Sequence, residues 1–253
     1  MYFDTHAHYD DEAFDGAREQ ILSSLASYGV ELVVNASSDM RSSYAGQKLA
    51  SEYPFLYFAA GVHPHESENM RDEDFDELRR LAEDKKCVAI GEIGLDYHYD
   101  LSPRDIQKKR FYEQMELARE LSLPVIIHER EACQDVLDIV TRFKDVRGVY
   151  HCFSGSWETA KIILNQGWYL SFTGIITFKN ARKALEVLEN APHDRIMIET
   201  DCPYLAPVPM RGTRNFSGNL QYTARKAAET TGLTLEELAA VTLENGKRFF
   251  GIG

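Results

Sequence analysis

Apolar, β-branched segments alternate with amphipathic segments along the whole chain. Strand-like patterning covers residues 2–6, 30–35, 55–62, 87–92, 124–128, 147–151, 168–173 and 195–200. Helical periodicity covers residues 13–27, 40–52, 72–84, 105–121, 131–143, 156–166, 180–190, 218–231 and 234–249. Regular alternation of strands and helices is typical of a parallel sheet with crossover helices. Eight such strands predict an α/β fold, a single (β/α)8 barrel of the TIM type.

The length of the chain agrees with one domain over residues 1–253. Barrels of this type typically have about 250 residues, and no Gly/Ser-rich linker or low-complexity tract divides the sequence. No apolar run approaches membrane-spanning length, and no signal-peptide pattern begins the chain. We therefore expect a cytoplasmic monomer that contacts no membrane and needs no obligate protein partner.

Charge and cysteine content exclude several classes of protein. A formal net charge of −12 argues against broad electrostatic attraction to nucleic acid, so any phosphate group must be held locally. The four cysteines lack Cys-x-x-Cys spacing, which argues against a structural zinc knuckle and a secreted disulfide framework.

Metal-binding types of residue recur at the ends of the predicted strands. His6 and His8 are one residue apart at the end of the first strand, which places both imidazoles on one face. Later strands end in the same kind of residue, namely Glu92, His128, His151 and Asp201. In (β/α)8 barrels the active site lies at the C-terminal ends of the strands, where distant residues converge. The pattern predicts an active site at that end of the barrel.

Imidazole and carboxylate ligands together indicate a divalent metal centre. This donor set suits zinc, manganese or magnesium. We predict two ions with Glu92 as the bridge. The two sites are completed by His6, His8 and Asp201 and by His128 and His151, respectively. Because two divalent ions activate water and stabilise phosphoryl transfer, hydrolysis is the expected reaction.

Acidic residues are also the predicted catalytic groups. Asp201 is placed to accept the proton of the attacking water. Glu199, two residues earlier on the same strand face, orients that water or supports a metal. Glu92 joins these two residues in the predicted catalytic set.

Six ordered motifs carry a resemblance to a known family. They are Phe3-Asp4-Thr5-His6-Ala7-His8, Gly61-Val62-His63-Pro64-His65, Ile90-Gly91-Glu92-Ile93-Gly94-Leu95-Asp96-Tyr97, His128-x-Arg130, His151-Cys152-Phe153-Ser154-Gly155 and Glu199-Thr200-Asp201-Cys202-Pro203-Tyr204-Leu205-Ala206-Pro207. The chain resembles the TatD family of metal-dependent nucleases, within the amidohydrolase-like barrels. The resemblance implies a divalent-metal-dependent phosphodiesterase that acts on DNA, in several members as a 3′-to-5′ exonuclease on single strands and in some also on RNA. It implies the same six metal ligands.

One segment departs from the family pattern. Members commonly have Arg-Gly followed by Asn-x-Pro after the last barrel strand, whereas this chain has Arg211-Gly212-Thr213-Arg214-Asn215-Phe216-Ser217. The missing proline leaves the conformation of this loop open.

Substrate contacts are predicted at four residues near the strand ends. His63 and His65 repeat the His-x-His spacing, and no spare carboxylate pairs with them, so we expect phosphate contact rather than metal ligation. Arg130 and Arg211 follow strand ends and are predicted to hold phosphate oxygens, with ordinary salt bridges as the alternative. Asp96 is a candidate for orienting a ligand histidine.

Two other functions compete with the nuclease. The same metal site can activate water against a carbonyl, as in a metal-dependent aminoacyl-tRNA deacylase. A binding or chaperone-like protein with a vestigial metal site is the second alternative, and the complete ligand set argues against it.

Overall fold

The computed structural model describes residues 1–253. Its strands are β1 (Tyr2–Ala7), β2 (Val30–Asn35), β3 (Leu56–Ala60), β4 (Cys87–Asp96), β5 (Val125–Arg130), β6 (Gly148–Tyr150), β7 (Tyr169–Phe172) and β8 (Ile196–Ile198). Its α-helices are α1 (Arg18–Ser24), α2 (Met40–Glu52), α3 (Asp74–Ala82), α4 (Arg104–Leu121), α5 (Cys133–Val140), α6 (Trp157–Asn165), α7 (Arg182–Asn190), α8 (Leu220–Thr231) and α9 (Leu235–Phe250). The strands form one sheet in the order β1 to β8, which confirms the predicted (β/α)8 fold class.

The chain contains two compact units. The terminal unit consists of Met1–Asn35 and Cys152–Gly253, and the central unit consists of Ala36–His151. β1, β2, β7 and β8 therefore belong to the terminal unit, and β3 to β6 belong to the central unit.

Close packing of α9 against β1 defines part of the core of the terminal unit. The Phe3 ring packs against Phe250, with ring centroids 5.8 Å apart. A Cβ atom on Gly246 would lie only 2.5 Å from the Phe3 ring, so glycine permits this approach. β1 pairs in parallel with β2, and Ala7 forms a parallel bridge with Cys202. The end of β1 is thereby held next to the segment that follows β8.

β4 is the longest strand of the central unit and is buried along its whole length. It pairs in parallel with β3 and β5, with Gly94 opposite His128 and Asp96 opposite Arg130. Gly94 has a φ of 148°, and a Cβ atom there would lie 1.9 Å from the carbonyl oxygen of His128. Only glycine fits this position, because an L side chain would suffer both backbone strain and a steric clash.

Two predicted elements differ from the structure. The helix predicted over residues 13–27 is wrong as a continuous element. Short 3-10 helices at Glu12–Phe14 and Leu25–Tyr28 flank α1, and Gly16 interrupts the pattern with a φ of 73°. The strand predicted to end at Glu92 continues to Asp96, because pairing with β5 extends that far. Glu92 therefore lies inside a strand. None of the helices combines the length and apolar character needed to cross a membrane.

Candidate metal centre

In the terminal unit, His6, His8 and Asp201 bring three potential ligand atoms together. His6 Nε2 lies 3.1 Å from His8 Nε2, and Asp201 Oδ1 lies 3.2 Å from His8 Nε2 and 3.7 Å from His6 Nε2. Backbone hydrogen bonds hold this arrangement, since Asp201 N–H donates to the His6 carbonyl at 2.9 Å and His8 N–H donates to the Cys202 carbonyl at 2.8 Å. These three predicted ligands therefore form one cluster.

The spacing of this cluster fits a divalent ion. Ligand atoms at about 2.0–2.2 Å from a tetrahedral ion are about 3.3–3.6 Å from one another. The observed separations of 3.1, 3.2 and 3.7 Å surround that value. Two imidazole nitrogens and a carboxylate oxygen that face one another are also the donor set that such an ion prefers.

A buried hydrogen-bond network centred on the Asp4 carboxylate lies next to the cluster of His6, His8 and Asp201. The Asp4 carboxylate accepts hydrogen bonds from the hydroxyls of Thr200 and Ser217, both at 2.6 Å, and from the Thr200 N–H at 2.9 Å. The Tyr9 hydroxyl donates to Ser217 Oγ at 2.7 Å and accepts from the Ser217 N–H at 2.9 Å. Sequence reasoning missed this network, because its members are far apart in the chain.

Ser217 occupies the place of the proline that is common in the family. Its N–H and hydroxyl are both used in hydrogen bonds, which a proline at this position cannot make. Polar contacts of Ser217 therefore hold the loop in place of the conformational restraint that a proline would give.

Glu199 is buried beside the same cluster. Its Oε1 accepts a hydrogen bond from the Cys152 N–H at 2.6 Å, and the Thr5 hydroxyl lies 3.5 Å from its Oε2. Glu199 thus holds the backbone of the residue that follows His151 in the chain. Its predicted part in catalysis stays a prediction.

In the central unit, the carboxylate of Glu92 faces two imidazole rings. Glu92 Oε1 lies 2.8 Å from His128 Nδ1 and 2.7 Å from His151 Nε2, and these two nitrogens are 3.4 Å apart. The three atoms form a second triangle of mixed nitrogen and oxygen donors, and Glu92 and His151 are buried. The two separations from Glu92 are shorter than those between ligands of one tetrahedral ion, whereas the donor set of two imidazoles and a carboxylate suits a divalent ion.

Asp96 orients two histidines of the central unit. Its buried Oδ2 lies 3.1 Å from His128 Nε2 and 3.0 Å from His65 Nε2. Burial raises the pKa of Asp96, but hydrogen bonds from His128, the Tyr99 N–H and His65 outweigh that effect and hold the pKa well below its ordinary value. An ionised Asp96 accepts the Nε2 proton of His128, which leaves Nδ1, the ring nitrogen that faces Glu92, as the atom that could bind an ion.

The expectation that no carboxylate pairs with His63 and His65 is wrong. His65 pairs with Asp96, and His63 Nε2 lies 3.7 Å from Glu92 Oε1. The signal was present in the sequence, because Asp96 belongs to the same motif as Glu92. It was missed because the sequence does not reveal which histidine faces which carboxylate.

The hydrogen bonds of His63 identify its tautomer. His63 Nδ1 accepts a hydrogen bond from the His65 N–H at 3.1 Å, so Nδ1 carries no proton. Burial lowers the pKa of His63 well below its ordinary value, so the ring is neutral and its single proton is on Nε2. Although His63 Nε2 lies near Glu92 and His128, it is a hydrogen-bond donor in this tautomer and has no lone pair for a metal.

The two predicted phosphate-binding arginines are exposed at the surface. The Arg130 guanidinium lies 4.7 Å from the centre of the Tyr99 ring, and that of Arg211 lies 4.0 Å from the centre of the Phe178 ring. Both side chains rest on aromatic rings rather than in ordinary salt bridges. Their donors therefore face solvent.

Comparison with known proteins gives matches over the whole chain. A family model described as TatD related DNase matches residues 3–251. The uncharacterized metal-dependent hydrolase YabD of Bacillus subtilis (strain 168) is 44% identical over 254 residues and 100% of both chains. The 3′-5′ ssDNA/RNA exonuclease TatD of Escherichia fergusonii is 31% identical over 257 residues and 99% of both chains.

Solved structures lead to the same family. YJJV, a TatD homolog from Escherichia coli K12, superimposes with a TM-score of 0.93 at 29% sequence identity, covering 100% of this chain and 98% of its own. The protein is thus an enzyme of the hydrolase class, and the chain belongs to the TatD-related DNase family of metal-dependent hydrolases.

Proposed function

We propose that this protein is a divalent-metal-dependent nuclease that hydrolyses phosphodiester bonds of DNA, as a 3′-to-5′ exonuclease on single strands. The proposed ligands of two ions, Mg, Mn or Zn, are His6, His8, Glu92, His128, His151 and Asp201. Support comes from the 31% identical exonuclease, whose name gives single-stranded DNA and RNA as its substrates. When bound, the ions would lower the pKa of water and stabilise charge on the phosphoryl oxygens.

The central cluster carries this proposal. Glu92 Oε1 lies within 2.8 Å of two imidazole nitrogens, and the protonated Nε2 of His63 lies 3.7 Å from the same oxygen. A group of metal ligands next to a neutral N–H donor suits a phosphodiester, because the donor can stabilise a non-bridging oxygen while the ligands hold the ion. We therefore assign His63, with His65 and Arg130, to substrate binding.

Three acidic side chains have separate roles in the proposed reaction. Asp201 accepts the proton of the attacking water. Glu199 accepts a hydrogen bond from the N–H of Cys152, the residue after His151, and so fixes the backbone there. Asp96 keeps the proton of His128 on Nε2, so that Nδ1 remains available as a ligand atom.

The decisive experiment is digestion of end-labelled single-stranded and duplex DNA with Mg²⁺, Mn²⁺, Zn²⁺ or EDTA. The wild type is compared with Glu92→Ala and with Glu52→Ala, which removes an exposed acid at the end of α2. We expect stepwise release of mononucleotides that needs metal and that Glu92→Ala lowers by about 100-fold or more. Bound metal is counted by elemental analysis, and Glu92→Ala should lose metal while keeping its circular dichroism spectrum.

Two results would overturn the proposal. Undiminished cleavage by Glu92→Ala would contradict the assignment of the centre. Absence of cleavage with every ion would exclude the nuclease and direct attention to carbonyl hydrolysis, with aminoacyl-tRNA as the next substrate to test.

A further inference from the structure

Two long stretches of this acidic chain contain no acidic residue. Residues 159–185 and 202–228 have no Asp or Glu, although acids make up 40 of the 253 residues. The cations of the two stretches are Lys161, Lys179, Arg182, Lys183, Arg211, Arg214, Arg225 and Lys226. Both stretches lie in the terminal unit. The net charge of −12 is therefore spread unevenly, and part of this unit is locally basic.

Packing joins the two stretches into one surface. The Arg211 guanidinium stacks over the Phe178 ring at 4.0 Å, and the Val208 N–H donates to the Thr177 hydroxyl at 2.9 Å. A Cβ atom on Gly174 would lie 2.5 Å from the Leu205 carbonyl oxygen, so the segments after β7 and β8 are in close contact. We call the surface formed by Phe178, Lys179, Arg182, Lys183 and Arg211 the basic surface.

The charges of the basic surface are not neutralised by neighbouring acids. Its four cations are exposed and take part in no ion pair. Other arginines of the protein are paired with acids, for example Arg79 with Glu120 and Arg104 with Asp100. Cations that remain unpaired in a protein rich in acids are available to an anion from solution.

The start of α7 strengthens the local positive potential. Its N-cap residue, Ala181, has no side chain to accept the first backbone N–H groups, so they remain available together with the positive end of the helix dipole. A cleft of about 950 Å³ opens here and is lined by Phe178, Asn180, Arg182 and Lys183. Glu186 and Glu189, further along α7, also line this cleft. Because their carboxylates repel an anion, an anion is favoured only near the start of α7.

From this arrangement we infer that the basic surface binds the phosphate backbone of a single-stranded polynucleotide on which the metal centre acts. The inference rests on the proposed function. It identifies the surface that binds the phosphate groups of the strand other than the one that is hydrolysed. Cations that lie beside aromatic rings are typical of surfaces that bind single strands, because they combine phosphate contacts with stacking. The acidic remainder of the protein repels a polyanion, so we expect contacts beyond the reacting phosphate to be made at this small surface.

The test measures binding without catalysis. Fluorescence anisotropy follows a labelled oligothymidylate of about 12 nucleotides, within the range of single-strand site sizes, in EDTA at increasing NaCl. The wild type is compared with Lys179→Ala/Arg182→Ala/Lys183→Ala. The control is Arg142→Ala/Lys144→Ala/Arg147→Ala, which removes the same charge from exposed cations between α5 and β6. Circular dichroism checks that each variant is folded.

We expect the first triple variant to bind the oligonucleotide about tenfold or more weakly, with the slope of log K against log salt shallower by about 2, since each phosphate contact on a single strand contributes about 0.7. The control should bind like the wild type. Equal binding by all three proteins, or no binding by the wild type, would overturn the inference.

A second measurement separates this inference from the proposed function. Bis(p-nitrophenyl) phosphate is a diester without a polynucleotide chain to contact the basic surface, so its Mn²⁺-dependent hydrolysis should be the same in all three proteins. If the wild type hydrolyses neither this diester nor DNA, the nuclease is excluded, and the anisotropy result still decides whether the basic surface binds single strands.

Discussion

The Thr200 hydroxyl donates a hydrogen bond of 2.6 Å to the buried carboxylate of Asp4. Asp4 lies two residues before His6 on β1, and Thr200 immediately precedes Asp201. One carboxylate thus connects the strand that carries two proposed ligands with the segment that carries a third. Asp201 has a φ of 55°, a left-handed conformation that costs a non-glycine residue about 1–2 kcal/mol, so this segment needs such restraints.

Thr200→Val tests this connection, because valine keeps the shape of threonine and removes the hydroxyl. A hydrogen bond to a charged group contributes about 1.5–3 kcal/mol, so we expect the free energy of unfolding to fall by about 2 kcal/mol. Affinity for Mn²⁺, measured by titration calorimetry, should fall as well. Thr200→Ser retains the hydroxyl and should restore the affinity; an equal loss in both variants would contradict the proposed role.

Asp4 makes stability depend on pH. Burial raises the pKa of Asp4 from 3.8 to about 6, although hydrogen bonds from Ser217 and Thr200 oppose this shift. An acid with a raised pKa binds its proton more tightly in the folded state, so its contribution to stability is present below pH 3.8 and is lost as the pH rises through about 6.

Asp4→Asn removes this titration. The free energy of unfolding of the metal-free wild type, relative to that of Asp4→Asn, should fall by about 3 kcal/mol between about pH 3 and about pH 7. Urea denaturation at each pH measures the difference. A difference that stays constant or increases with pH would show that the pKa of Asp4 is not raised.

The hydroxyl of Tyr9 and the backbone N–H and hydroxyl of Ser217 interact, and Ser217 stands where proline is common in the family. Replacing Ser217 by proline therefore tests this interaction. Ser217→Pro removes both partners of the Tyr9 hydroxyl, and a buried hydroxyl without a partner costs about 1–3 kcal/mol. Phe216, with φ −160° and ψ 162°, accepts a following proline. We expect Ser217→Pro to destabilise the wild type and to be milder in a Tyr9→Phe background, with a coupling energy of about 1 kcal/mol. Additive effects in urea denaturation would exclude the coupling.

Gly94→Ala probes the contact between β4 and β5. The added Cβ atom would lie 1.9 Å from the His128 carbonyl oxygen, so we expect a loss of about 3 kcal/mol or more and weaker metal binding. Gly16→Ala is the matched control, because its φ of 73° is also positive but nothing lies within 4 Å of the new atom. Its cost should be about 1–2 kcal/mol. Thermal unfolding that ranks the two variants in the opposite order would contradict this account.

Asp96→Asn tests whether Asp96 holds His128 in its ligand tautomer. Loss of such a partner typically lowers metal affinity by about 10- to 100-fold, and chelator competition measures the change. Asp105→Asn, an exposed acid in the first turn of α4, is the control and should leave the affinity unchanged. A purely structural role for Asp96 would lower the unfolding temperature and leave the metal affinity of the folded protein intact.

Hydropathy patterning predicted the eight strands and their alternation with helices. A strand of a parallel sheet is buried on both faces and appears as a continuous apolar run, so its position is a local property of the sequence. The end of β4 could not be predicted from the local sequence, because the extension of the strand to Asp96 depends on pairing with β5. The broken helix around residues 13–27 likewise depends on the backbone conformation that Gly16 adopts in the folded protein.

The chemistry of the site divides in the same way. The sequence alone identified His6, His8, Glu92, His128, His151 and Asp201 as candidate ligands, because residue type and position after an apolar run are readable along the chain. Only the tertiary structure decided their partners: Thr200 reaches Asp4 across 196 positions, and His65 reaches Asp96 across 31. A hydrogen bond depends on distance and direction in space, and these are set by how distant strands come together rather than by the residues beside each group.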